Sequence, residues 1–312
     1  MFSIQKSKLG KFANYKLINS LTQEYVDIID GLGGNVTQLS LNKNGTLYSI
    51  IEGPNENEIA SGNPMYKSTK LIPFPNRVEN GRYTYNGKSY QLPINGDKHA
   101  MHGLIYDKTL EVIDTKTDPN EALITLKYKH DGSLPGYPFK YDAIITYKLL
   151  KDHGFVCETN ITNIDTISFP IGDGWHPYFK TKGKVDKLQI KIPSKYRLEV
   201  NELIPTGKMI PEKYHDSIMI GNTNYDTGFV LEEKEGRNAT ELYDRGLDLN
   251  LVIWQETGKR KYNYLQIYIP DDRKSIAIEP MSCATNDFNN KIGLIVLEPG
   301  QSFKASYGVY IE

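Results

Sequence analysis

The sequence predicts an all-β protein, a large antiparallel β-sandwich that forms a single domain over residues 1–312. Short segments rich in β-branched and aromatic residues follow one another at regular spacing, and turn residues separate them. That organisation is typical of sandwiches and barrels and differs from alternating βαβ units. The composition agrees, because 22 tyrosines and 26 glycines suit half-buried strands joined by tight turns.

Individual segments justify the prediction in order along the chain. Residues 25–29 end at a turn, and residues 36–41 alternate with period two, as a half-buried strand does. Residues 83–85 and 88–92 flank Asn86-Gly87, which accepts the positive φ of a type I′ turn and therefore predicts a hairpin. Further strands are predicted at 122–128, 141–149, 155–164, 188–192, 265–269 and 276–278.

Two segments admit a different interpretation. Residues 3–18 are the best candidate for a helix, although Gly10 and a mixed apolar pattern limit it to a short one. Gly31-Leu32-Gly33-Gly34 suggests a dinucleotide loop, but it lacks the third glycine and leads into a strand. A phosphate loop leads into a helix N-terminus, so we predict a turn between two strands.

The charge and the cysteine count exclude several classes. The formal net charge is −1, and the densest basic run, Lys259-Arg260-Lys261, is short, so we expect neither nucleic acid nor a membrane surface as a partner. No apolar run has the length of a signal peptide or a membrane span. Cys157 and Cys283 leave a disulfide open but form no secreted-type framework. We therefore predict a cytoplasmic protein, monomeric or homodimeric.

The histidines first suggest a metal, because His99 and His102 stand three residues apart. Zinc sites need three or four ligands, and neither cysteine belongs to a CxxC motif. We therefore expect no metal and no other cofactor, and the role of His99 stays open. The polar surroundings of His130, His153 and His215 fit structural or solvated side chains.

Three polar stretches carry the candidate chemistry. One begins at Asn76-Arg77 and continues through residues 95–103, which include His102. Another places His176 between Trp175 and Pro177-Tyr178-Phe179, and proline stiffens the chain beside the imidazole. The third brings Glu279 to the end of a predicted buried strand, where a carboxylate needs a partner or a function. Aromatic rings beside such polar groups can bind a sugar.

Together these stretches resemble the aldose 1-epimerase (galactose mutarotase) family. Met101-His102-Gly103 is similar to its Leu-His-Gly motif, residues 176–179 to its His-x-Tyr-Phe motif, and Glu279-Pro280 to the segment with its catalytic glutamate. Residues 225–229 resemble the segment that supplies a sugar-binding aspartate. Leu104 replaces a second glycine and Trp175 a common asparagine, which indicates a divergent branch.

The resemblance implies a galactose mutarotase-like supersandwich and the interconversion of α and β anomers of a free aldose. It implies His176 as the acid and Glu279 as the base of a ring opening that needs no cofactor. Arg77, His102 and Asp226 are the implied sugar ligands, and we add Asn76 and Trp175 to the substrate-binding set. We expect Glu279 to be ionised and His176 to be partly protonated through an adjacent carboxylate.

Other functions remain open at this level. A hexose-6-phosphate mutarotase would need extra cations, for which Arg82, Lys88 and Lys98 are the candidates. A non-catalytic carbohydrate-binding protein would keep the polar rim without any use for a His–Glu pair. The fold also admits polysaccharide lyases or hydrolases. A glycosidase would need two carboxyls, and one persuasive candidate is found.

Overall fold

The computed structural model describes residues 1–212 and 216–312, so His215 lies outside the described residues. The described residues form strands joined by turns, two short helices, α1 (Glu56–Ala60) and α2 (Asp287–Asn290), and two 3₁₀ turns at Glu79–Gly81 and Val185–Lys187. The strands are β1 (Phe2–Leu9), β2 (Phe12–Asn19), β3 (Tyr25–Ile29), β4 (Val36–Lys43), β5 (Thr46–Ser49), β6 (Arg77–Val78), β7 (Arg82–Tyr85), β8 (Lys88–Gln91), β9 (Ala100–Met101), β10 (Glu111–Thr117), β11 (Glu121–Asp131), β12 (Lys140–Leu150), β13 (Gly154–Asn163), β14 (Phe169–Ile171), β15 (Tyr178–Phe179), β16 (Gln189–Lys191), β17 (Ser194–Asn201), β18 (Ile204–Pro211), β19 (Ile218–Met219), β20 (Asp226–Leu231), β21 (Gly236–Asp244), β22 (Leu249–Thr257), β23 (Tyr264–Tyr268), β24 (Ile276–Met281), β25 (Ile295–Leu297) and β26 (Ser302–Ile311).

Three sheets dominate the architecture. The largest has the order β10-β11-β12-β13-β26-β22-β21-β16-β19, the second β15-β24-β23-β20-β17-β18 and the third β1-β2-β3-β4-β5. Their neighbouring strands run antiparallel. The all-β antiparallel sandwich predicted from the sequence is thereby confirmed.

One cluster of buried apolar side chains connects these sheets. Leu17 of the N-terminal sheet, Tyr307 of the nine-stranded sheet and Ile278 of the six-stranded sheet all belong to it. Strands β11 and β12 show why their alternating patterns predict strands, since every second side chain is buried in β12 and, apart from the half-buried Tyr128, in β11. Burial of these side chains is the main stabilising contribution to such a fold.

The Asn86-Gly87 hairpin is confirmed, because β7 pairs with β8 and both turn residues have positive φ. The helix expected within residues 3–18 is wrong. Strands β1 and β2 form an antiparallel hairpin there, and Gly10, with a φ of 58°, makes its turn. Tyr15 and Leu17 of β2 are buried in the common core, so burial on a sheet outweighs any local helical preference.

Smaller predictions also have clear outcomes. The glycine-rich segment 31–34 is a turn between β3 and β4, as predicted. Cys157 and Cys283 are both free and buried, so they form no disulfide with each other. His130 is buried and its Nε2 lies 3.0 Å from the Tyr137 carbonyl oxygen, which agrees with a structural role. Neither described helix has the length and hydrophobicity that crossing a bilayer would require.

Candidate active site

A cavity of about 500 Å³ is lined in part by residues of four neighbouring strands of the six-stranded sheet, β15, β24, β23 and β20. Six of the seven residues predicted as catalytic or substrate-binding line it: Asn76, Arg77, His102, His176, Asp226 and Glu279. The remaining lining residues are Pro64, Met65, Tyr66, Asn95, Gly96, Met101, Tyr178, Gln266 and Tyr268. The structure therefore brings these six side chains together from five separate parts of the sequence.

Glu279 lies within β24, because this strand continues through Met281 beyond its predicted end at residue 278. The neighbouring strand β23 places Gln266 directly opposite Glu279. Glu279 is 1% exposed, and its Oε2 has no hydrogen-bond partner among the described residues. A buried carboxyl oxygen without a protein partner at a cavity is suited to receive a ligand hydroxyl.

Main-chain hydrogen bonds hold His176 beside Glu279. Its N–H donates to the Thr69 carbonyl over 3.0 Å, and its carbonyl accepts from the Ser68 N–H over 2.8 Å. The imidazole stacks on the Tyr178 ring, with 4.9 Å between the ring centroids. Its Nε2 lies 3.5 Å from Oε1 of Glu279. An imidazole and a carboxyl therefore meet in one buried place.

A two-stranded ladder sets Arg77 and His102 beside this pair. Strand β6 pairs Arg77 with Met101 of β9, and the His102 N–H donates to the Asn76 carbonyl over 2.8 Å. The next residue, Gly103, has a φ of 76°, and a Cβ there would lie 2.2 Å from the Ile72 carbonyl oxygen. Only glycine fits that approach. The His102 ring stands edge-on to His176, with centroids 5.0 Å apart.

Asp226 begins β20 and faces the cavity together with Arg77. The Gln266 amide donates to Asp226 Oδ1 over 2.7 Å, and Arg77 Nη2 lies 4.0 Å from Oδ2. Arg77 Nη1 also donates to the Asn76 side-chain oxygen over 2.7 Å. The carboxylate and the guanidinium are thus oriented side by side, an arrangement that can accept from and donate to neighbouring hydroxyls.

The structure corrects the prediction for Trp175. Its side chain is 0% exposed and does not line the cavity. The indole stacks on Tyr307, with centroids 5.0 Å apart, and its Nε1–H donates to the Ser68 carbonyl. Residues 175 and 176 point to opposite sides of an extended segment, so His176 faces the cavity while Trp175 packs in the core.

Burial changes the protonation expected for the central pair. Desolvation raises the pKa of Glu279 well above its usual range, with the nearby Asp226 charge adding to the rise and Arg77 opposing it. Desolvation, together with the smaller effect of the Arg77 charge, lowers the pKa of His176 to about 4. The expectation of an ionised Glu279 beside a partly protonated His176 is therefore wrong, because burial favours both neutral forms. Burial also lowers the pKa of His102.

Several cavity residues escaped the sequence analysis. Tyr66 and Tyr268 stand in segments without any motif, and Gln266 lies in a strand that otherwise reads as apolar core. Strand pairing identifies Gln266, because a polar residue paired with a buried carboxyl on the neighbouring strand points to the same face of the sheet. His99 does not line this cavity, and its Nδ1 accepts from the Asn80 N–H.

The class of protein follows from fold and cavity together: an all-β antiparallel sandwich of the galactose mutarotase-like type. A galactose mutarotase-like protein from Clostridium acetobutylicum superposes with a TM-score of 0.86 at 20% identity, covering 100% of this chain and 98% of that one. The galactose 1-epimerase from Lactobacillus acidophilus NCFM superposes with a TM-score of 0.81 at 17% identity, covering 100% and 98%. At these identities the likeness concerns the fold.

The sequence comparisons give the family. The model of the family described as aldose 1-epimerase matches residues 17–310, and the chain belongs to this family. An uncharacterized Escherichia coli (strain K12) protein, YihR, is 29% identical over 250 residues, which are 77% of each chain. The galactose mutarotase of Rattus norvegicus is 26% identical over 245 residues, 76% of this chain and 66% of that protein. These low identities agree with a divergent branch.

Proposed function

We propose that this protein is an aldose 1-epimerase that interconverts the α and β anomers of a free aldose by acid–base ring opening and closure. The observation that carries the proposal is the His176–Glu279 pair, 3.5 Å apart in a buried cavity with Arg77 and Asp226 beside it. Its membership of the aldose 1-epimerase family supports the same reaction. We assign the proton transfers to His176 and Glu279 and sugar binding to Arg77, His102, Asp226 and Asn76.

Ring opening needs two proton transfers. Glu279 takes the proton of the anomeric hydroxyl, the C1–O5 bond breaks, and His176 gives a proton to the ring oxygen. The product is the open-chain aldehyde. After rotation about the C1–C2 bond, the O5 hydroxyl adds to the other face of C1, O5 returns its proton to His176, and O1 takes one from Glu279. The cycle leaves the protonation of the enzyme unchanged.

The shifted pKa values of the pair fit this cycle. Burial favours a protonated Glu279 and a neutral His176, so it favours the transferable proton on Glu279. Ring opening as assigned needs that proton on His176, and a transfer over the 3.5 Å between the two groups supplies this form without changing the total charge. Ring opening starts with the proton on His176, and ring closure starts with it on Glu279. Each turnover therefore passes through both forms of the pair.

Polarimetry on freshly dissolved α-D-glucose and α-D-galactose tests the proposal. We expect the wild-type protein to accelerate the approach to anomeric equilibrium well above the spontaneous rate. A protein that binds either sugar without any acceleration would instead be a non-catalytic carbohydrate-binding protein. The pair of buried proton-transfer groups favours the enzyme, since binding alone has no use for them.

The phosphorylated alternative finds no support in the cavity. Arg82, Lys88 and Lys98, the candidate phosphate ligands, do not line it. Arg82 donates to Gln91, and Lys98 pairs with Glu202 at 2.5 Å. We therefore expect anomerisation of glucose at least as fast as that of glucose 6-phosphate at equal concentration.

The cytoplasmic location and the monomeric or homodimeric state stay predictions.

A further inference from the structure

A buried ion pair lies behind the candidate active site. Lys70 Nζ is 2.7 Å from Asp173 Oδ2, and both side chains are 0% exposed. Thr159 Oγ1 accepts from Lys70 over 3.0 Å, and the Tyr262 hydroxyl donates to the same Asp173 oxygen over 2.5 Å. None of these four residues lines the cavity, so the proposed proton transfers do not use them.

Stability alone is a weak reason for such a pair. Taking both charges out of water costs several kcal/mol for each ion, and well-packed apolar residues commonly serve as well or better. The Asp173 carboxyl is also incompletely satisfied, since its Oδ1 has no partner among the described residues. A costly charged pair in a mainly apolar core points to a role in fixing geometry.

The ion pair joins the segment around Lys70 to the segment that carries His176, and Asp173 also bonds to the chain that follows Glu279. Lys70 and Trp175 face each other in an antiparallel bridge, and the Leu71 N–H donates to the Gly174 carbonyl over 2.9 Å. On its other side, Asp173 exchanges two hydrogen bonds with Ser282: its N–H donates to Ser282 Oγ, and its carbonyl accepts from the Ser282 N–H, both at 2.9 Å.

Asp173 therefore links the two segments that carry the reacting side chains. It lies three residues before His176, and its partner Ser282 directly follows the end of β24, three residues after Glu279. The ion pair adds a side-chain link, because it holds the Asp173 carboxylate on Lys70. The neighbour of Lys70, Thr69, accepts a hydrogen bond from the His176 N–H through its carbonyl. Any sliding of one segment past the other would change the distance between imidazole and carboxyl.

We propose that Lys70 and Asp173 are positioning residues that hold His176 at its working distance from Glu279. The inference rests on the proposed epimerase function. Arg77 and Asp226 are anchored separately, because Asn286 donates to the Arg77 carbonyl and Gln266 donates to the Asp226 carboxylate. Loss of the ion pair therefore lowers kcat while leaving sugar affinity in place. A displacement of about 1 Å in a reacting group can cost about 100-fold in rate.

The test replaces both charges at once, so that no buried ion remains unpaired. In Lys70→Met with Asp173→Leu we expect a cooperatively folded protein whose kcat falls about 100-fold while KM stays within about twofold. Lys127→Met with Asp142→Leu is the matched control, because it makes the same changes at a 2.8 Å ion pair on β11 and β12 away from the cavity. It should keep both constants.

A second readout does not depend on turnover. The imidazole NMR signals of His176, assigned by their absence in His176→Asn, should shift in the Lys70→Met/Asp173→Leu variant and not in the control. Unchanged kcat and unchanged imidazole signals in a folded variant would overturn the proposal. A rise in KM at constant kcat would overturn it too, because it would show that the ion pair supports sugar binding and not the position of His176.

Tyr262→Phe covers the case in which the double variant does not fold. It removes one hydrogen bond from Asp173 and leaves both charges paired. We expect kcat to fall about threefold to tenfold at constant KM, because one hydrogen bond that restrains the Asp173 side chain is lost. A Tyr262→Phe enzyme with wild-type kcat would then overturn the proposal. A wild-type protein without anomerisation would refute the epimerase function itself, which separates the two failures.

Discussion

The His176 imidazole and the Glu279 carboxyl face each other with 3.5 Å between Nε2 and Oε1, and both groups are almost completely buried. Burial shifts their pKa values in opposite directions, so the pair keeps one proton over a wide pH range. A pair with one movable proton can give and take protons on the two oxygens of a sugar hemiacetal.

Removal of either proton-transfer group should abolish most of the rate. We expect Glu279→Gln and His176→Asn each to lower kcat by about 10²–10⁴-fold, the usual contribution of a positioned acid or base. Sugar affinity should remain, because Arg77 and Asp226 are untouched. Polarimetry measures the rate and titration calorimetry the affinity. An unimpaired Glu279→Gln enzyme would falsify the assignment of the base.

The pH dependence of kcat/KM should follow the shifted pKa values. Below the His176 pKa of about 4 the imidazole holds a proton while Glu279 is also protonated, and no base remains. We therefore expect the acid limb near pH 4, well below the usual histidine value of about 6.5. Rates corrected for spontaneous mutarotation between pH 3.5 and 8 test this. An acid limb near 6.5 would contradict it.

The raised pKa of Glu279 also predicts a stability effect. A carboxyl that is harder to ionise in the folded state stabilises the fold at low pH, and this contribution disappears as pH rises through the folded pKa. Glutamine does not ionise, so Glu279→Gln should gain stability over wild type between pH 5 and pH 8, by about 1.4 kcal/mol for each unit of pKa shift. Urea unfolding at both pH values measures it. The exposed Glu298→Gln should show no comparable trend.

Gln266 should affect binding rather than chemistry. Its amide donates to Asp226 over 2.7 Å, and Gln266→Leu leaves that carboxylate less restrained. We expect KM to rise by roughly threefold to tenfold, the equivalent of one hydrogen bond of about 0.5–1.5 kcal/mol, with little change in kcat. Steady-state kinetics decide this, with Gln189→Leu on β16 as a control outside the cavity. A fall in kcat at constant KM would be the opposite outcome.

Trp175 should behave as a core residue. Trp175→Phe loses the hydrogen bond to Ser68 and part of the stacking on Tyr307, so we expect the free energy of unfolding to fall by about 1–3 kcal/mol. The KM for the sugar should stay unchanged, because the indole does not line the cavity. Chemical denaturation and kinetics on the same preparation separate the two effects. A raised KM without loss of stability would restore Trp175 to the sugar site.

Much of this protein could be predicted from local patterns. Alternation in β11 and β12 and the Asn86-Gly87 turn indicated strands, since the side-chain period of a strand and the φ of a turn are local properties. The helix expected over residues 3–18 failed because β2 is stabilised by burial of Tyr15 and Leu17 on another sheet. Gln266 was missed for a related reason, since only strand pairing places it opposite Glu279.

The sequence sufficed for the fold class, the family resemblance and six of the residues that line the cavity, because each rests on residue type and spacing along one chain. Folding settled the properties that depend on neighbours remote in sequence: the core position of Trp175, the 3.5 Å between His176 and Glu279, and the Lys70–Asp173 pair behind them. It also set the protonation of the pair, since a pKa shift by desolvation arises from burial. Burial is a property of the packed sandwich, and no single segment contains it.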